Sequence, residues 1–329
     1  MLHGSICVAA VAAVGAIFPS VASAYGPISS TKRGLVFTPN ETTRADDTIW
    51  PESKGLTWYY NYKPEPEAKF SKYPQSEFEF VPMLWGTPSP PDSTEFLDTV
   101  KKLIEDGLNI TNVLTFNEPN APFSWGGANM DPVTAAQIWV NNIEPLSEMG
   151  IRVGLPAMTG EQSGIPWLQN FLKECSTLVS EGSSTTKNCT YDFVTLHWYD
   201  NFEGLASHMG QYSAAFPNVT MWITEYNYAN QDLDRTQEFY KMSAEYFDRM
   251  ESVERYSLFG AFRSDVSNVG PNGAMLSRNG SLTDIGAWYL GRTATGVLPT
   301  DGKSPAFKAM VPQVSAALLV AFGAVFALL

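Results

Sequence analysis

The chain has 329 residues and a formal net charge of −13 at pH 7, so it is strongly acidic. Nucleic acid and anionic lipid surfaces are also negatively charged, and this composition argues against both as partners. Only three histidines and three cysteines are present, which disfavours a multi-histidine metal site. We therefore expect no nucleic acid, no metal and no cofactor, and we favour a neutral polysaccharide as the partner.

The N-terminal end has the pattern of a secretion signal. Residues 5–18 are apolar or small, and Ala22-Ser23-Ala24 follows them. This pattern predicts a signal peptide over residues 1–24, cleaved after Ala24, and then a short lead-in over residues 25–32. The alternative is an N-terminal membrane anchor, but the apolar run is short for a membrane span.

The C-terminal end has the order of a lipid-attachment signal. Residues 314–329 are apolar and continue to the last residue, and a polar spacer containing Asp301, Gly302 and Ser304 precedes them. Small residues, a spacer and an apolar tail are typical of a GPI signal, although a plain tail anchor is the alternative. We predict attachment at Gly302, with Asp301 and Ser304 as alternatives.

These signals predict the organisation of the whole chain. Residues 33–292 are expected to form one catalytic domain, residues 293–302 a linker, and residues 303–329 a segment removed on processing. A single α/β barrel of about 250 residues fits the remaining length. We expect a secreted monomer at the cell surface or cell wall, which contacts the plasma membrane only through its lipid anchor.

Cys175 and Cys189 remain after the signal peptide is removed. An even pair in an oxidising compartment predicts one disulfide, and its short loop implies a stabilisation of about 3 kcal/mol. Several N-x-[ST] sequons make some glycosylation expected. They stand at Asn40, Asn109, Asn188, Asn218 and Asn279.

Short apolar runs alternate with amphipathic stretches along the chain. The runs have strand length and occupy residues 34–38, 56–60, 80–85, 112–116, 151–157, 193–198, 219–224 and 256–262. Helices are predicted around 96–104 with Asp92 or Ser93 as the cap, from Asp131 to Gly150 with a kink at Pro145, and over 166–179, 205–216, 235–253 and 283–290.

This alternation predicts parallel strands joined by crossover helices. Eight strands are the number that closes a TIM barrel, so the predicted fold class is α/β, a single (β/α)8 TIM barrel. A doubly wound open sheet is the alternative, but the first strand is not followed by a G-x-G-x-x-G motif.

Two glutamates, Glu118 and Glu225, stand at the ends of the fourth and seventh runs. Active sites of such barrels lie at the carboxyl ends of the strands, and a buried carboxylate is costly unless it is paired or functional. Two facing carboxylates are the groups that hydrolyse glycosides. The structural alternative for each is a salt bridge closing the top of the barrel.

Aromatic residues accumulate at the same strand ends, and aromatic rings bind the apolar faces of sugars while nearby polar groups bind the hydroxyls. The candidates for this role are Asn117, Trp58, Tyr60, Trp85, Trp125, His197, Trp198, Tyr199 and Tyr226. Strand alternation places His197 and Tyr199 on one side and Trp198 on the other. Core packing is the alternative role for aromatic residues, and we favour it for Trp139, Trp167, Trp222 and Trp288.

Four segments together resemble the fungal members of glycoside hydrolase family 128, which have an Asl1-like catalytic domain. They are Leu-Thr-Phe-Asn-Glu-Pro-Asn at 114–120, Gly-Leu-Pro-Ala at 154–157, Asp-Phe-Val-Thr-Leu-His-Trp-Tyr at 192–199 and Trp-Ile-Thr-Glu-Tyr at 222–226. The resemblance implies a clan A barrel that acts on β-1,3-glucan with retention of configuration. It also implies Glu118 as acid/base, Glu225 as nucleophile, Asn117 in support, and sugar contacts from His197 and Tyr199.

The function expected from the sequence is a retaining endo-β-1,3-glucanase that hydrolyses cell-wall glucan by double displacement. One alternative is a β-glucan transglycosylase using the same site, since a sugar hydroxyl can intercept the glycosyl-enzyme in place of water. The other is a glucan-binding wall protein without catalysis. No residue distinguishes hydrolysis from transglycosylation, whereas the complete pair of glutamates argues against a protein without catalysis.

Overall fold

The computed structural model describes residues 30–301. The predicted signal peptide, most of the lead-in, Gly302, Ser304 and the segment 303–329 lie outside the described residues. Within 30–301, none of the helices combines the length and the apolar character that a membrane crossing requires.

Each predicted apolar run overlaps a strand, but most strands are shorter than the run. They are β1 Gly34–Val36, β2 Trp58–Tyr60, β3 Glu79–Phe80, β4 Asn112–Val113, β5 Arg152–Val153, β6 Phe193–Trp198, β7 Thr220–Tyr226 and β8 Val253–Leu258. Pro82 and Pro156 have no N–H to donate to a ladder, which shortens β3 and β5 relative to the prediction. Residues 259–262, predicted as the end of β8, are irregular.

The strands pair in parallel, which confirms the predicted α/β class. They form three sheets among the described residues, with the orders β1-β2-β3, β4-β5 and β6-β7-β8, rather than one continuous sheet. Isolated parallel bridges lie between the sheets. They join Met83 to Leu114, Gly154 to Phe193 and Arg33 to Tyr256. The carboxyl ends of the parallel strands therefore point the same way within each sheet.

Helices follow every strand from β3 onward. They are α1 Glu95–Glu105, α2 Pro132–Asn142, α3 Glu144–Glu148, α4 Gly164–Val179, α5 Phe202–Ala215, α6 Leu233–Arg249 and α7 Asp284–Tyr289. The cap of α1 is Thr94, not the predicted Asp92 or Ser93. As predicted, Asp131 caps α2, because its carboxylate accepts from the backbone N–H groups of Val133 and Thr134.

The helix predicted from Asp131 to Gly150 is two helices. The first ends at Asn142, and Pro145 lies in the first turn of the second, where a residue without an N–H is tolerated. The helix is therefore interrupted near the predicted kink, but at Ile143, two residues before Pro145.

Two hydrophobic clusters stabilise this arrangement. The larger one fills the space between strands and helices and includes Trp139 and Trp288. The smaller one lies among the strands and their ends, where Trp222 stacks on Phe193 at 4.0 Å between ring centroids. Trp139, Trp222 and Trp288 are buried as predicted, and Trp167 stacks on Phe171 at the margin of the core.

The predicted disulfide between Cys175 and Cys189 is present, and it joins α4 to the segment before β6. Four sequon asparagines are exposed, whereas Asn40 is half-buried and its side chain caps a short 3-10 turn, so glycosylation stays a prediction. The exposed four are Asn109, Asn188, Asn218 and Asn279.

The described part of the predicted linker lies against the domain. The carbonyl of Pro299 accepts from Ser264 Oγ and from the backbone N–H of Arg278. The carboxylate of Asp284 accepts from the N–H groups of Thr295 and Gly296. These contacts hold the chain on the domain surface up to Pro299.

Candidate active site

Glu118 and Glu225 lie at the carboxyl ends of strands in different sheets. Glu225 is part of β7, and Glu118 follows β4. Glu118 has φ of 44°, a left-handed conformation that is uncommon for a residue with a side chain. Its N–H donates to the carbonyl of Ala157 at 2.7 Å, and its own carbonyl accepts from Ala121 at 2.9 Å. The surrounding backbone therefore holds Glu118 in a strained geometry, as is common at active sites.

Two phenols hold the carboxylate of Glu225. The hydroxyl of Tyr62 donates to Oε1 at 2.6 Å, and the hydroxyl of Tyr199 donates to Oε2 at 2.5 Å. Burial and the negative charge of Glu225 raise the pKa of both tyrosines well above the ordinary value. Both phenols therefore stay protonated and serve as hydrogen-bond donors.

His197, on β6, lies between the two glutamates. Its Nδ1 is 2.9 Å from Oε1 of Glu118 and 3.5 Å from Oε2 of Glu225. One ligand-type atom from each of these three side chains lies within 4.8 Å of the others. The fold thus brings the carboxylates together from residues separated by more than a hundred positions.

The electrostatics of the cluster are set by burial and by charge pairing. Burial raises the pKa of Glu225, and the charge of Glu118 adds to this, while His197 and the two phenols oppose it. Burial disfavours the charged form of His197, but the carboxylates of Glu225 and Glu118 outweigh it and raise the pKa of the imidazole. His197 therefore carries positive charge over a wider pH range than an exposed histidine.

The sequence of residues 34–289 matches the model of a family described as the glycosyl hydrolase catalytic core. This chain belongs to that family. The match covers all eight strands and both glutamates, and the resemblance to glycoside hydrolase family 128 predicted from the sequence is confirmed.

Relatives of known structure or name agree with this assignment. The chain is 30% identical over 270 residues to alkali-sensitive linkage protein 1 of Schizosaccharomyces pombe, an alignment covering 79% of this chain and 44% of that protein. It is thus similar to less than half of that relative's length.

Two solved structures of GH128 proteins are also similar to this chain. A curdlan-specific exo-β-1,3-glucanase of subgroup III from Blastomyces gilchristii, in complex with glucose, is 26% identical with a TM-score of 0.59, covering 78% of this chain and 97% of that one. A subgroup II endo-β-1,3-glucanase from Pseudomonas viridiflava is 24% identical with a TM-score of 0.61, covering 82% and 100%.

Some of the predicted sugar-contact residues lie around the two glutamates. His197 and Tyr199 touch the glutamates directly. Asn117 is buried beside Glu118, and its Nδ2 donates to the carbonyl of Gly126 at 3.0 Å. Trp85 is half-buried and stacks on Phe123 with 6.4 Å between ring centroids. His197 and Tyr199 therefore border the carboxylates, while Asn117 and Trp85 lie at the strand end that carries Glu118, joined by a backbone hydrogen bond from Asn117 N–H to the Trp85 carbonyl.

Three predicted contacts are corrected. Trp58, Tyr60 and Tyr226 are at most 1% exposed, so none offers a ring face to a ligand. Trp58 and Tyr60 stack on each other among the strands, and the Tyr60 hydroxyl donates to the carbonyl of Thr224. Tyr226 points away from the site and packs against Phe247 of α6. Their positions at strand ends predict that they face the substrate cleft, but they are packed on all sides and belong to the core.

Some site residues were not predicted from the sequence. Tyr62 follows β2, outside the predicted runs and helices, and its φ of 62° is the structural sign of a constrained position. Phe259 follows β8 and packs edge-on against Tyr199, and Phe123 is 61% exposed beside Trp125, which is 67% exposed. Hydrophobic periodicity does not identify residues in irregular segments of this kind.

Carboxylates and imidazoles also bind metal ions. The spacing of Glu118, His197 and Glu225 would suit a metal ion. In this geometry, however, both ring nitrogens of His197 have partners, Nδ1 with Glu118 and Nε2 with Thr224. The expectation that no metal takes part stays a prediction.

Proposed function

We propose that this protein is a retaining β-1,3-glucanase with Glu118 as acid/base and Glu225 as nucleophile. The observation that supports this most is that a carboxylate oxygen of Glu118 and one of Glu225 lie within 4.8 Å of each other. Retaining enzymes place their two carboxyl groups about 5–5.5 Å apart, whereas inverting enzymes leave about 6.5–9.5 Å for a water molecule. The spacing here favours direct attack by Glu225.

In the first step, protonated Glu118 donates its proton to the glycosidic oxygen as the bond to the anomeric carbon breaks. An oxygen of Glu225 attacks that carbon and forms a glycosyl-enzyme. In the second step, the Glu118 carboxylate takes a proton from water, and the hydroxyl displaces Glu225. Both glutamates return to their starting states, and the anomeric configuration is retained.

The surroundings of Glu225 suit a nucleophile. The phenols of Tyr62 and Tyr199 hold one oxygen each, which fixes the carboxylate in one orientation. The charge of His197 favours the ionised form of Glu225, although burial still leaves its pKa raised. Positioning and charge therefore both act on the group that must attack.

We further propose that the eight strands close into one (β/α)8 barrel. The isolated parallel bridges between Met83 and Leu114, Gly154 and Phe193, and Arg33 and Tyr256 support this, because together they link the three sheets in a ring. Closure would place the ends of β4 and β7 around one mouth, which accounts for the meeting of the two glutamates.

The proposed substrate is a linear β-1,3-glucan of the cell wall. Similar proteins are named as β-1,3-glucanases, one as an exo-enzyme and one as an endo-enzyme. Trp85, Phe123 and Trp125 give a half-buried to exposed aromatic surface close to Glu118, suited to the apolar faces of sugar rings. The predicted secretion and GPI anchor would place the enzyme beside such glucan. Endo cleavage is the pattern we propose.

The test is sugar release from linear β-1,3-glucan by the wild-type protein beside Glu118→Gln and Glu225→Gln. Glu161→Gln, an exposed glutamate after β5, is the matched control. We expect release by wild type and control, and a loss of at least about 10³-fold in both site variants. Proton NMR of the first products should show the β-anomer.

Product analysis separates the alternatives. Oligosaccharides longer than the substrate would indicate transglycosylation by the same residues. Binding without turnover on any β-glucan would support the alternative of a glucan-binding protein without catalysis. Release of the α-anomer first would contradict retention of configuration.

A further inference from the structure

A hydroxyl group lies behind the histidine of the catalytic cluster. Oγ1 of Thr224 is 3.0 Å from Nε2 of His197, on the side of the ring opposite Glu118. Thr224 is 2% exposed and His197 is 1% exposed, so water does not replace this contact. The hydrogen bond is therefore the main polar interaction of Nε2.

The position of Thr224 depends on an irregularity in β7. Neighbouring residues of a regular strand point to opposite faces, so Thr224 and Glu225 should not approach the same side chain. Yet Nδ1 of His197 lies 3.5 Å from Glu225, while its Nε2 contacts Thr224. Both contacts occur on one ring.

The pairing of β6 with β7 explains this. Leu196 is opposite Ile223, but the next residue, His197, is opposite Glu225, so Thr224 is an extra residue in β7. Such bulges re-aim side chains and are common beside active sites. The carbonyl of Thr224 accepts from the hydroxyls of Tyr60 and Ser257, which fixes the bulged backbone.

A hydroxyl both donates and accepts, so Thr224 can serve His197 in two protonation states. In neutral His197 with the proton on Nδ1, Nε2 accepts from the threonine. In the imidazolium, Nε2–H donates to it. The other neutral tautomer, with the proton on Nε2, would leave Nδ1 without a hydrogen beside two carboxylate oxygens 2.9 and 3.5 Å away. The geometry therefore favours the two states in which Nδ1 keeps a hydrogen to donate toward Glu118.

We propose that Thr224 is a positioning residue that keeps a proton on Nδ1 of His197, between Glu118 and Glu225, and so maintains the charge balance of the catalytic pair. This rests on the proposed function for its effect on catalysis, but the proton position is a property of the site itself. The titratable groups facing the cluster are the two glutamates and the phenols Tyr60, Tyr62 and Tyr199.

The test uses Thr224→Val, which keeps the shape and removes the hydroxyl, and Thr224→Ser, which restores it. Thr195→Val is the matched control, because Thr195 is an equally buried threonine of β6 whose hydroxyl donates to the Leu155 carbonyl. The first readout is the side-chain ¹⁵N shifts of His197, measured without substrate. The second is the pH profile of kcat/KM on β-1,3-glucan.

We expect the ¹⁵N shifts of wild type, Thr224→Ser and Thr195→Val to report a proton on Nδ1, and Thr224→Val to lose this pattern at neutral pH. The acidic limb of the Thr224→Val profile should move up by roughly one pH unit, with kcat at least about 10-fold lower, because a buried hydrogen bond is lost. Thr224→Ser should stay within about threefold of wild type.

Unchanged ¹⁵N shifts and an unchanged pH profile in folded Thr224→Val would overturn the proposal, as would failure of Thr224→Ser to rescue. An inactive wild type with the expected ¹⁵N pattern would instead count against the glucanase function and support the assigned proton position. The two failures are therefore distinguishable.

Discussion

Tyr62 donates a 2.6 Å hydrogen bond to Oε1 of Glu225, across 163 positions of sequence. Tyr199 donates to the other oxygen of the same carboxylate, so each oxygen of Glu225 accepts a hydrogen bond from one phenol. Charge-assisted hydrogen bonds of this kind stabilise the ionised carboxylate more than its protonated form. The chemistry proposed for Glu225 therefore depends on residues from two other strand ends.

Tyr62→Phe and Tyr199→Phe should each lower kcat/KM by about 10- to 100-fold, because each keeps the ring but removes a donor worth about 1.5–3 kcal/mol to a charged group. Loss of the donor also raises the pKa of Glu225 further. Tyr228→Phe, whose ring packs on Phe239, is the control. Steady-state kinetics on β-1,3-glucan measure the effect, and wild-type values in both site variants would show that the phenols do not assist the nucleophile.

The pH dependence of activity should reflect the buried position of Glu225. Burial raises its pKa, so the group accepts a proton at a higher pH than an ordinary glutamate. Since attack requires the carboxylate, activity should fall on the acidic side at a pH above the ordinary value of about 4.3. His197→Gln removes a positive charge that lowers this pKa, and its acidic limb should move to still higher pH. A shift of the acidic limb of the activity profile to lower pH in His197→Gln would contradict the positive charge assigned to His197.

Much of this site could be predicted from the sequence because its residues end apolar strands. Glu118 and Glu225 stand out as carboxylates at the ends of buried runs, and alternation along β6 into the next residue places His197 and Tyr199 on one side. The α/β class likewise follows from the alternation of runs and amphipathic stretches. Periodic patterns carry this information because burial imposes them.

The rest depends on backbone geometry that periodicity does not encode. Tyr62 lies in an irregular segment with positive φ, and Thr224 reaches His197 only because β7 is bulged. The same limit explains the wrong assignment of Trp58 and Tyr226. A strand pattern indicates two faces, but whether a face meets the cleft or the packed core depends on the three-dimensional pairing of the strands.

His208 should make the fold less stable in acid. It is buried in α5 against Trp198, and burial lowers its pKa to about 4, against about 6.5 for an exposed histidine. The unfolded chain then binds this proton more readily than the folded one. The contribution is complete above about pH 6.5 and is lost as the pH falls toward 4, by an amount on the order of 3 kcal/mol.

His208→Phe removes this titration while keeping an aromatic ring beside Trp198 and Tyr212. Carboxylates also titrate in this range, so the informative quantity is the difference between variant and wild type in the free energy of unfolding, measured by denaturation at pH 7 and pH 4.5. We expect the variant to gain relative to wild type on acidification. Equal losses in both proteins would mean that His208 does not titrate differently on unfolding.

Trp125 should contribute to substrate binding rather than to the chemical step. It is 67% exposed on the loop after Glu118, and backbone hydrogen bonds from Gly126 to Phe123 and from Ala128 to Asn117 tie that loop to the strand end. A rigidly held, exposed indole suits a sugar ring, and stacking of this kind contributes about 1–1.5 kcal/mol. Trp125→Ala should therefore raise KM by about 5- to 10-fold with kcat changed by less than about twofold.

Met149→Ala is the control for this substitution, since Met149 is a large exposed apolar side chain at the end of α3. Both variants should keep the wild-type melting temperature, because neither side chain belongs to the core. Kinetics on glucans of increasing chain length locate the contact, since a platform next to the acid/base residue affects only substrates long enough to reach it. A fall in kcat with an unchanged KM would place Trp125 in the chemical step instead and contradict a binding role.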